Sequence, residues 1–430
     1  MSAEGDRFDV VIVGTGIAGS TAAMLYGRSG RRVALVEKHS DPRAYKTVCG
    51  HFIQSHAHLV IERLGLVRDF EALGAVRTGV DTWSRYGWAY HDARDDRPPS
   101  WNVRRAKLDP MLREAAATTP GVELMLGCTA TDLIRDGGRV SGVEVRDRSG
   151  EVRRLLAKVV VAADGRQSTL GKLAGVEETV KPNNRFAYAA YYRVNPTVRD
   201  KQAQVWFLDP DPDYAIASPT DDGLVQFAGF ISKDRLGDWK GDVEAALVRH
   251  AARLPDAPAI RPEARESKFI AKLEMPNTIR RAAIPGLAFV GDAAMAADPV
   301  WGVGCGWAFE SAEWLVEATA DAVAADQGVD RALADYAKTH RRRLYGHFLL
   351  TSSYSTGRRF NPIERLKLRA AANDSTAARH MQDYTERLIT PGRYLTPRAI
   401  ARAAAVALRS PRSRGGGAPS NEPQPTSAAN

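Results

Sequence analysis

The sequence is poor in cysteine and shows no metal-ligand pattern. Its 430 residues include three cysteines, Cys49, Cys128 and Cys305, which lie too far apart for a disulfide framework or a zinc cluster with short ligand spacing. Nine histidines are present, but none belongs to an HExxH or comparable motif. We therefore predict no metal site and interpret the three thiols as structural.

Long apolar runs are also lacking. No stretch of about 18 apolar residues is present to span a bilayer, and the N-terminal MSAEGDRFDV has no basic segment followed by an apolar one. These features predict a cytoplasmic protein.

The basic residues are unevenly distributed. The formal net charge is +9, yet the part from Arg331 onward holds 18 Lys and Arg against 6 Asp and Glu. We interpret this excess as a solvated helical face and not as a nucleic-acid surface, with peripheral membrane contact as a less favoured alternative.

What the sequence does contain is an N-terminal βαβ pattern. An apolar run from Phe8 to Gly14 predicts a buried strand, small residues from Ile17 to Gly30 predict a helix, and Arg31 to Lys38 predicts a second strand. Such a unit implies a parallel sheet.

The middle of the chain has a different pattern. After an irregular part from Arg43 to Asn102, the segment Trp101 to Thr119 predicts a helix and Val122 to Gly165 a β-meander. Alternating segments between Asn183 and Met275 then predict an antiparallel sheet.

The motif GTGIAG joins the first strand to the first helix, which is the setting of a dinucleotide fingerprint. Gly14 makes the tight turn, Gly16 lets the backbone approach a pyrophosphate, and Gly19 allows close helix packing. Glu37 ends the second predicted strand and is placed to accept hydrogen bonds from a ribose diol, which argues against the 2′-phosphate of NADP at this site. We predict a bound adenine dinucleotide.

Two later segments resemble known flavin motifs. VVVAADGRQSTLGKLAG (159–175) and IPGLAFVGDAAMAADPVWGVGCGWA (284–308) are similar to the second and third motifs of the p-hydroxybenzoate hydroxylase superfamily, which includes geranylgeranyl reductases and flavin-dependent halogenases. The resemblance implies FAD as the cofactor, with Asp292 contacting the ribityl chain. It also implies that Arg105 lies near the flavin phosphates, with Arg104 as the alternative.

The resemblance implies an α/β fold: a Rossmann-like FAD-binding domain with an inserted antiparallel-sheet substrate domain and a helical C-terminal segment. The expected boundaries are 1–182 and 276–330 for the FAD-binding domain, 183–275 for the substrate domain, 331–409 for the helical region and 410–430 for a disordered tail. The predicted cofactor-binding residues are Gly14, Gly16, Ile17, Ala18, Gly19, Glu37, Lys38, Cys49, Gly50, Arg105, Asp164, Gly165, Gly291, Asp292, Pro299, Gly302, Gly304 and Cys305.

The sequence departs from the family pattern after Asp164 and Gly165. The family motif usually continues to an arginine near position 171 or 172, where this chain has Gly171 and Lys172. NAD(P)H is therefore expected as a transient reductant that acts either directly or through a partner reductase.

Two segments bear on the branch of the superfamily. YKTVCGHFIQ (45–54) is similar to the K-x-C-G segment of geranylgeranyl reductase-like proteins, whereas YAIASP (214–219) matches their Y-x-W-x-F-P signature only in part. The W-x-W-x-I-P segment of the halogenases is absent.

The sequence favours a monooxygenase of specialised metabolism that hydroxylates an apolar or aromatic small molecule through a flavin C4a-hydroperoxide. The alternatives are alkene reduction of the geranylgeranyl reductase type, halogenation, and a non-enzymatic flavin-binding redox sensor or scaffold.

Candidate catalytic side chains are His51, as a proton shuttle, and Tyr214, as a phenol facing the substrate. Trp301 and Trp307 flank a glycine-rich loop and are candidates for an aromatic pocket. We expect this loop to face the reactive ring, with the following helix N-terminus stabilising negative charge at the flavin N1–C2=O edge.

Overall fold

The computed structural model describes residues 5–91, 97–194 and 202–409, which form four sheets and thirteen α-helices. The predicted disordered tail at 410–430 lies outside the described residues. The strands are β1 (Asp6–Val13), β2 (Val33–Glu37), β3 (Phe52–Ile53), β4 (Val76–Thr78), β5 (Val80–Ser84), β6 (Gly87–Ala89), β7 (Ser100–Asn102), β8 (Val122–Leu126), β9 (Thr129–Asp136), β10 (Arg139–Arg146), β11 (Val152–Ala162), β12 (Glu178–Lys181), β13 (Arg185–Tyr192), β14 (Ala203–Phe207), β15 (Tyr214–Pro219), β16 (Val225–Ser232), β17 (Ile270–Lys272), β18 (Asn277–Arg280), β19 (Ala283–Ile284), β20 (Leu287–Phe289) and β21 (Met295–Ala296). The helices are α1 (Ile17–Arg28), α2 (Ser55–Arg63), α3 (Val67–Ala72), α4 (Arg105–Ala117), α5 (Thr169–Leu173), α6 (Gly237–Lys240), α7 (Val243–Ala251), α8 (Val303–Ala325), α9 (Val329–Ser355), α10 (Pro362–Asn373), α11 (Ser375–Thr385), α12 (Pro391–Tyr394) and α13 (Pro397–Arg409).

The largest sheet is built from the buried apolar runs. Strands β20, β11, β1, β2 and β8 lie side by side in that order and are parallel, while β9, β10 and β19 add antiparallel neighbours. Val13 at the end of β1 is in register with Ala162 of β11 and Val36 of β2. The carboxyl ends of these strands therefore meet at one edge, where open α/β sheets bind their ligands. The predicted α/β class with a Rossmann-like core is confirmed.

The second large sheet draws on more of the chain than the sequence indicated. Its seven strands follow the order β17-β13-β16-β15-β14-β5-β6, and β5 pairs in parallel with β14. The hairpin β5–β6 comes from 80–89, about 100 residues before the predicted start of this sheet at 183. Short strands with an interrupting turn carry little periodicity, so this membership was not visible in the sequence.

The part from 43 to 102 is not irregular as expected. It contains helices α2 and α3 and the strands β3 to β7, of which β3, β7 and β4 form a small sheet. Trp101 lies in β7 and is fully buried, so the predicted helix begins only at Arg105.

The C-terminal helices join the two sheets. Helix α8 packs on α1 beneath the main sheet, and α9 runs from the core of that sheet, through Leu333 and Tyr336, to Tyr354 behind the second sheet. Helix α10 covers β6 and contacts α11 and α13. Within residues 5–91, 97–194 and 202–409, no helix has the length and apolar character needed to cross a bilayer.

Candidate functional site

A cavity of about 640 Å³ extends from the carboxyl edge of the main sheet to one face of the second sheet. This volume is in the range of small-molecule and cofactor pockets, roughly 300 to 1,000 Å³. Every predicted cofactor-binding residue except Gly19 lines the cavity, and His51 lines it as well. The fold therefore brings together segments that are almost 290 positions apart in sequence.

The glycine motif forms a tight turn with an open surface. Gly14 has φ +106°, and a Cβ on it would lie 2.4 Å from the carbonyl oxygen of Ala163. A Cβ on Gly19 would lie 1.8 Å from the carbonyl oxygen of Gly14, so helix α1 packs directly on the turn. At Gly16 the nearest atom to a Cβ would be Nη2 of Arg105 at 3.8 Å. Gly14 and Gly19 thus serve packing, and Gly16 leaves space in front of the helix N-terminus.

Glu37 ends β2 and is held in its ionised form. Its Oε2 accepts hydrogen bonds from the backbone N–H and the hydroxyl of Thr15, at 3.1 and 2.7 Å, and its Oε1 accepts one from the N–H of His39 at 2.9 Å. Burial opposes ionisation, yet these hydrogen bonds from His39 and Thr15 keep the pKa of Glu37 below its usual value. A carboxylate here is a ready acceptor for hydroxyl groups. Lys38 follows it on the cavity wall.

Helix α4 presents charged residues to the cavity from successive turns. Arg105 donates through Nε to Asp109 Oδ1 at 2.6 Å, and Arg113 donates through Nε to the hydroxyl of Thr15 at 2.8 Å. Positions 105, 109 and 113 share one face because they are four residues apart. The two guanidinium groups place positive charge beside the glycine turn, as a pyrophosphate requires.

Arg104 has a different role from its neighbour. Its guanidinium pairs with Asp221 and Asp222, and its Nε lies 2.8 Å from Asp221 Oδ2. Burial raises the pKa of Asp221, but hydrogen bonds from Arg104 outweigh it and lower the pKa to about 2. Of the two arginines proposed from the sequence, Arg105 is the one that reaches the cavity.

Asp164 and Gly165 follow β11 at the same edge. Oδ2 of Asp164 accepts from the N–H of Leu170 at 3.0 Å, whereas its Oδ1 is buried with no hydrogen-bond partner within the protein. Gly165 has φ +82°, which favours glycine, and nothing lies within 4 Å of where its Cβ would be.

Asp292 forms an ion pair with a residue that the sequence did not single out. Its Oδ2 lies 2.7 Å from Nζ of Lys46. Burial works against the charge, but Lys46 holds the pKa of Asp292 below its usual range. Lys46 is further fixed by its backbone N–H, which donates to Asp109 Oδ2 at 3.0 Å.

The loop after Asp292 leads into helix α8. Gly302 caps the helix with φ +62°, and a Cβ there would lie 2.6 Å from the ring of Phe52. Pro299, Gly302, Gly304 and Cys305 all line the cavity. The N-terminus of α8 therefore opens on the cavity, and its unpaired N–H groups favour negative charge there.

Tyr214 does not face the cavity, which corrects the expected catalytic role. It is fully buried, stacks on Phe230, and donates its hydroxyl to Asp298 Oδ1 at 2.7 Å. Asp298 also accepts from the N–H of Val300 at 2.9 Å and lies 3.4 Å from the guanidinium of Arg185. Tyr214 thus holds the loop that precedes α8.

His51 lies at the cavity wall in an unusual backbone conformation, with φ +61°. Its Nδ1 accepts from the backbone N–H of Arg105 at 3.2 Å, which leaves the ring proton on Nε2, in contact with the hydroxyl of Tyr191. Burial raises the pKa of Tyr191, so this phenol keeps its proton at neutral pH.

Cys49 and Cys305 meet in the cavity wall, with their sulfur atoms 3.6 Å apart. The separation of 256 positions in sequence gave no indication of this contact. Cys128 also lines the cavity, but burial raises the pKa of its thiol.

The second sheet contributes a wall of small aliphatic side chains. Successive side chains of a strand point to opposite faces, so alternate residues reach the cavity. Large aromatic residues of this sheet, including Trp206 and Phe227, pack on the other face against Trp239. The cavity-lining residues of this sheet are Val80, Thr82, Ala187, Ala189, Ala203, Val205, Ile216, Ser218, Gln226, Ala228, Phe230, Ile270 and Lys272.

The two tryptophans differ in their surroundings, although both line the cavity. Trp301 packs edge-on against Tyr384 and near Phe207. Trp307 is 2% exposed, lies next to the guanidinium of Arg387, and has a buried indole N–H with no partner within the protein.

These residues fit an adenine dinucleotide that carries an isoalloxazine ring. Gly16 leaves open space beside Arg105, and Glu37 offers a carboxylate to a ribose. The unpartnered Asp164 Oδ1 and Trp307 Nε1 are a buried acceptor and a buried donor, and both residues line the cavity. Buried polar atoms are normally hydrogen-bonded, so a polar ligand in the cavity fits both.

Fold and site together define a dinucleotide-binding flavoprotein. The chain belongs to the FAD binding domain family, whose model matches residues 7–347. It is an FAD-dependent oxidoreductase, and its recognition as a relative of the p-hydroxybenzoate hydroxylase and geranylgeranyl reductase proteins is confirmed.

Three relatives illustrate the range of flavoproteins that this chain resembles. Digeranylgeranylglycerophospholipid reductase 1 of Methanococcoides burtonii is 25% identical over 342 residues, covering 78% of this chain and 80% of that protein. The structure of a flavoprotein/dehydrogenase from Cytophaga hutchinsonii superposes with a TM-score of 0.75 at 18% identity, covering 94% of this chain and 99% of that one. PqsL, a probable FAD-dependent monooxygenase from Pseudomonas aeruginosa, superposes with a TM-score of 0.67 at 20% identity, covering 88% and 100%.

Several cavity residues were missed from the sequence. Lys46, Asp109 and Arg113 lie outside the glycine and Asp-Gly motifs, and their roles depend on contacts with distant segments. The i, i+4 spacing of Arg105, Asp109 and Arg113 was the available signal for the two on α4. Among the described residues, no group of three or more His, Cys, Asp or Glu side chains is arranged to hold a metal ion.

Proposed function

We propose that this FAD-dependent oxidoreductase reduces carbon–carbon double bonds in an apolar substrate of isoprenoid type. The observation that carries the proposal is the aliphatic wall of the second sheet. Its alanine, valine and isoleucine side chains offer no hydrogen bonds, so they select for hydrocarbon and leave room for a branched chain. The residues concerned are Ala187, Ala189, Ala203, Val205, Ile216 and Ala228.

The digeranylgeranylglycerophospholipid reductase of Methanococcoides burtonii, which aligns over 80% of its length, supports the same choice, since its name is that of a lipid reductase. The match of Tyr214–Pro219 to the reductase signature is partial. Tyr214 is a packing residue here, and Ile216 and Ser218, which replace the tryptophan and phenylalanine of that signature, line the cavity.

The cofactor and the protein residues contribute different parts of this reaction. When bound and reduced, the flavin would supply a hydride to one alkene carbon, and a proton would add to the other. The chain's own residues hold the cofactor, exclude water and supply the proton. We assign the proton to His51, which lines the cavity and carries its ring proton on Nε2.

The reducing equivalents come from NAD(P)H, either directly or through a partner reductase. The glycine motif beside Glu37 is committed to FAD, so NAD(P)H would need a transient site elsewhere on the cavity. Anaerobic mixing of the purified protein with NADPH or NADH, followed by the flavin absorbance, distinguishes direct reduction from the need for a reductase.

The test uses the purified holoprotein reduced by dithionite without oxygen and offered a glycerophospholipid with geranylgeranyl chains. The expected product gains two hydrogen atoms per double bond by mass spectrometry. Val205→Phe fills the aliphatic wall and should lose turnover, whereas Gln204→Ala, on the opposite face of β14, should retain it. A product that forms only when oxygen is admitted, and that carries an oxygen atom, would contradict the proposal.

Hydroxylation is the second candidate because aromatic side chains, among them Phe230 and Trp301, also line the cavity. Their faces could hold an aromatic ring. The oxygen arm of the same experiment, with an aromatic substrate such as a substituted phenol, tests this candidate. Flavin reduction without any product in either arm would support a redox sensor.

A further inference from the structure

The two cavity thiols belong to separate parts of the fold. Cys49 lies between β2 and β3, in a segment without helix or strand, whereas Cys305 lies in the first turn of helix α8. Their sulfur atoms are 3.6 Å apart although 256 positions separate the residues in sequence. A disulfide has an S–S distance of about 2.05 Å, so closure needs an approach of about 1.5 Å.

The surroundings favour a thiolate on Cys49. The backbone N–H of His51 donates to its sulfur at 3.3 Å, and Nη1 of Arg105 lies 3.9 Å away. The hydrogen bond with Cys305 is the largest contribution that lowers the pKa of Cys49, and it outweighs burial. The pKa of the Cys305 thiol is raised by the same pairing, so one sulfur is the nucleophile and the other donates a hydrogen bond.

We propose that Cys49 and Cys305 are an oxidation site that closes to a reversible disulfide and ties the 38–51 segment to helix α8. The oxidant is hydrogen peroxide, the two-electron product of oxygen reacting with a reduced flavin. The Cys49 sulfur attacks one peroxide oxygen, so that an S–O bond forms, the O–O bond breaks and water leaves after protonation. The Cys305 sulfur then attacks the Cys49 sulfur, forming S–S and releasing a second water. Two thiols lose two electrons and two protons, and one peroxide becomes two waters.

The site goes beyond the proposed reaction because it would control the access of ligands to the cavity. Lys46, which pairs with Asp292, lies three residues before Cys49 in the same segment. Closure would require a shift of this segment, which has no helix or strand, since Cys305 is anchored in a buried helix. A closed disulfide would hold the segment against α8 across the cavity wall and slow exchange of ligands. A dithiol reductant would reverse it.

The chain provides an internal control. Cys128 also lines the cavity, but burial raises the pKa of its thiol and its sulfur lies against the carbonyl of Leu126 at 3.6 Å. We therefore expect the Cys49–Cys305 pair to react with peroxide at least about tenfold faster than Cys128.

The test treats the full-length holoprotein with hydrogen peroxide, alkylates free thiols in denaturant, and maps peptides by mass spectrometry with and without dithiothreitol. The expected result is loss of two of three alkylated cysteines, a cross-linked peptide containing Cys49 and Cys305, and recovery on reduction. Cys305→Ser should stop at a Cys49 sulfenic acid that dimedone traps, and Cys128→Ser should cross-link as the wild type does.

The readout is the oxidation state of the thiols, so its result does not depend on whether the protein reduces alkenes. Three alkylated cysteines after peroxide treatment would overturn the proposal. So would a cross-link between two chains, or oxidation of Cys128 at the rate of the pair. Because the first measurement uses the wild-type protein, its outcome does not depend on any variant folding.

Discussion

Nζ of Lys46 lies 2.7 Å from Oδ2 of Asp292, although 246 positions separate the two residues in sequence. The pair joins the segment after β2 to the turn after β20, at the edge of the sheet where the cofactor motifs converge. It fixes the carboxylate that the third flavin motif provides.

Loss of this carboxylate should weaken cofactor binding. Asp292→Ala removes an ionised acceptor from the cavity, and hydrogen bonds to charged groups contribute about 1.5 to 3 kcal/mol, which corresponds to roughly a tenfold to a hundredfold loss of affinity. Titration of the apoprotein with FAD, followed by flavin fluorescence, measures the change. Asp335→Ala, in an exposed ion pair with Lys338, is the matched control and should bind FAD normally. Equal affinities of the two variants would contradict the assignment.

The glycine motif permits a test that separates binding from folding. Gly16 has an ordinary negative φ of −71° and open space around it, so Gly16→Val should fold with little loss of stability while its side chain blocks the pyrophosphate position. We expect FAD affinity to fall by at least about a hundredfold, as expected when close backbone approach is lost. Gly237→Ala, at a position with nothing within 4 Å, is the control. Retention of FAD by Gly16→Val would refute the role assigned to this glycine.

Tyr214 should behave as a structural residue. Tyr214→Phe leaves the buried Asp298 without one of its hydrogen bonds, which we expect to lower the free energy of unfolding by about 1 to 3 kcal/mol. Denaturant unfolding measures this loss, with Tyr188→Phe in strand β13 of the same sheet as the comparison. Turnover per folded molecule should stay within about threefold of wild type, because the phenol lies behind the cavity wall. Abolished turnover with unchanged stability would restore its catalytic role.

Buried histidines should make the protein less stable in mild acid. Burial lowers the pKa of His250 and His340 to about 4 and that of His347 to about 3. An unfolded histidine has a pKa of about 6.5, so between these values the unfolded state binds more protons and stability falls as the pH falls. Each histidine contributes a slope of up to about 1.4 kcal/mol per pH unit.

Urea unfolding between about pH 7 and pH 5 measures this slope. His250→Leu should reduce it by about one proton, since it removes one of the three groups. A free energy of unfolding that does not change over this range would contradict the prediction.

The sequence predicted those parts of the fold and site that depend on local pattern. The first βαβ unit, Gly16 and Glu37 could be recognised because a glycine turn and an acidic strand end have local causes. The hairpin β5–β6 and the contacts of Lys46 and Arg113 could not, since each depends on a partner more than 60 positions away. Tyr214 was misjudged because strand alternation predicts a face but not whether another layer covers it.

The most direct test of the central claim is a single-turnover measurement by anaerobic stopped-flow. In one experiment the dithionite-reduced holoprotein is mixed with a geranylgeranyl lipid, and in a second experiment it is mixed with oxygenated buffer. The flavin absorbance is followed in both. We predict that the alkene reoxidises the flavin without oxygen and yields, in equal amount, a product in which one double bond is reduced. Reoxidation by oxygen alone, with the alkene recovered unchanged or oxygenated, would contradict the account.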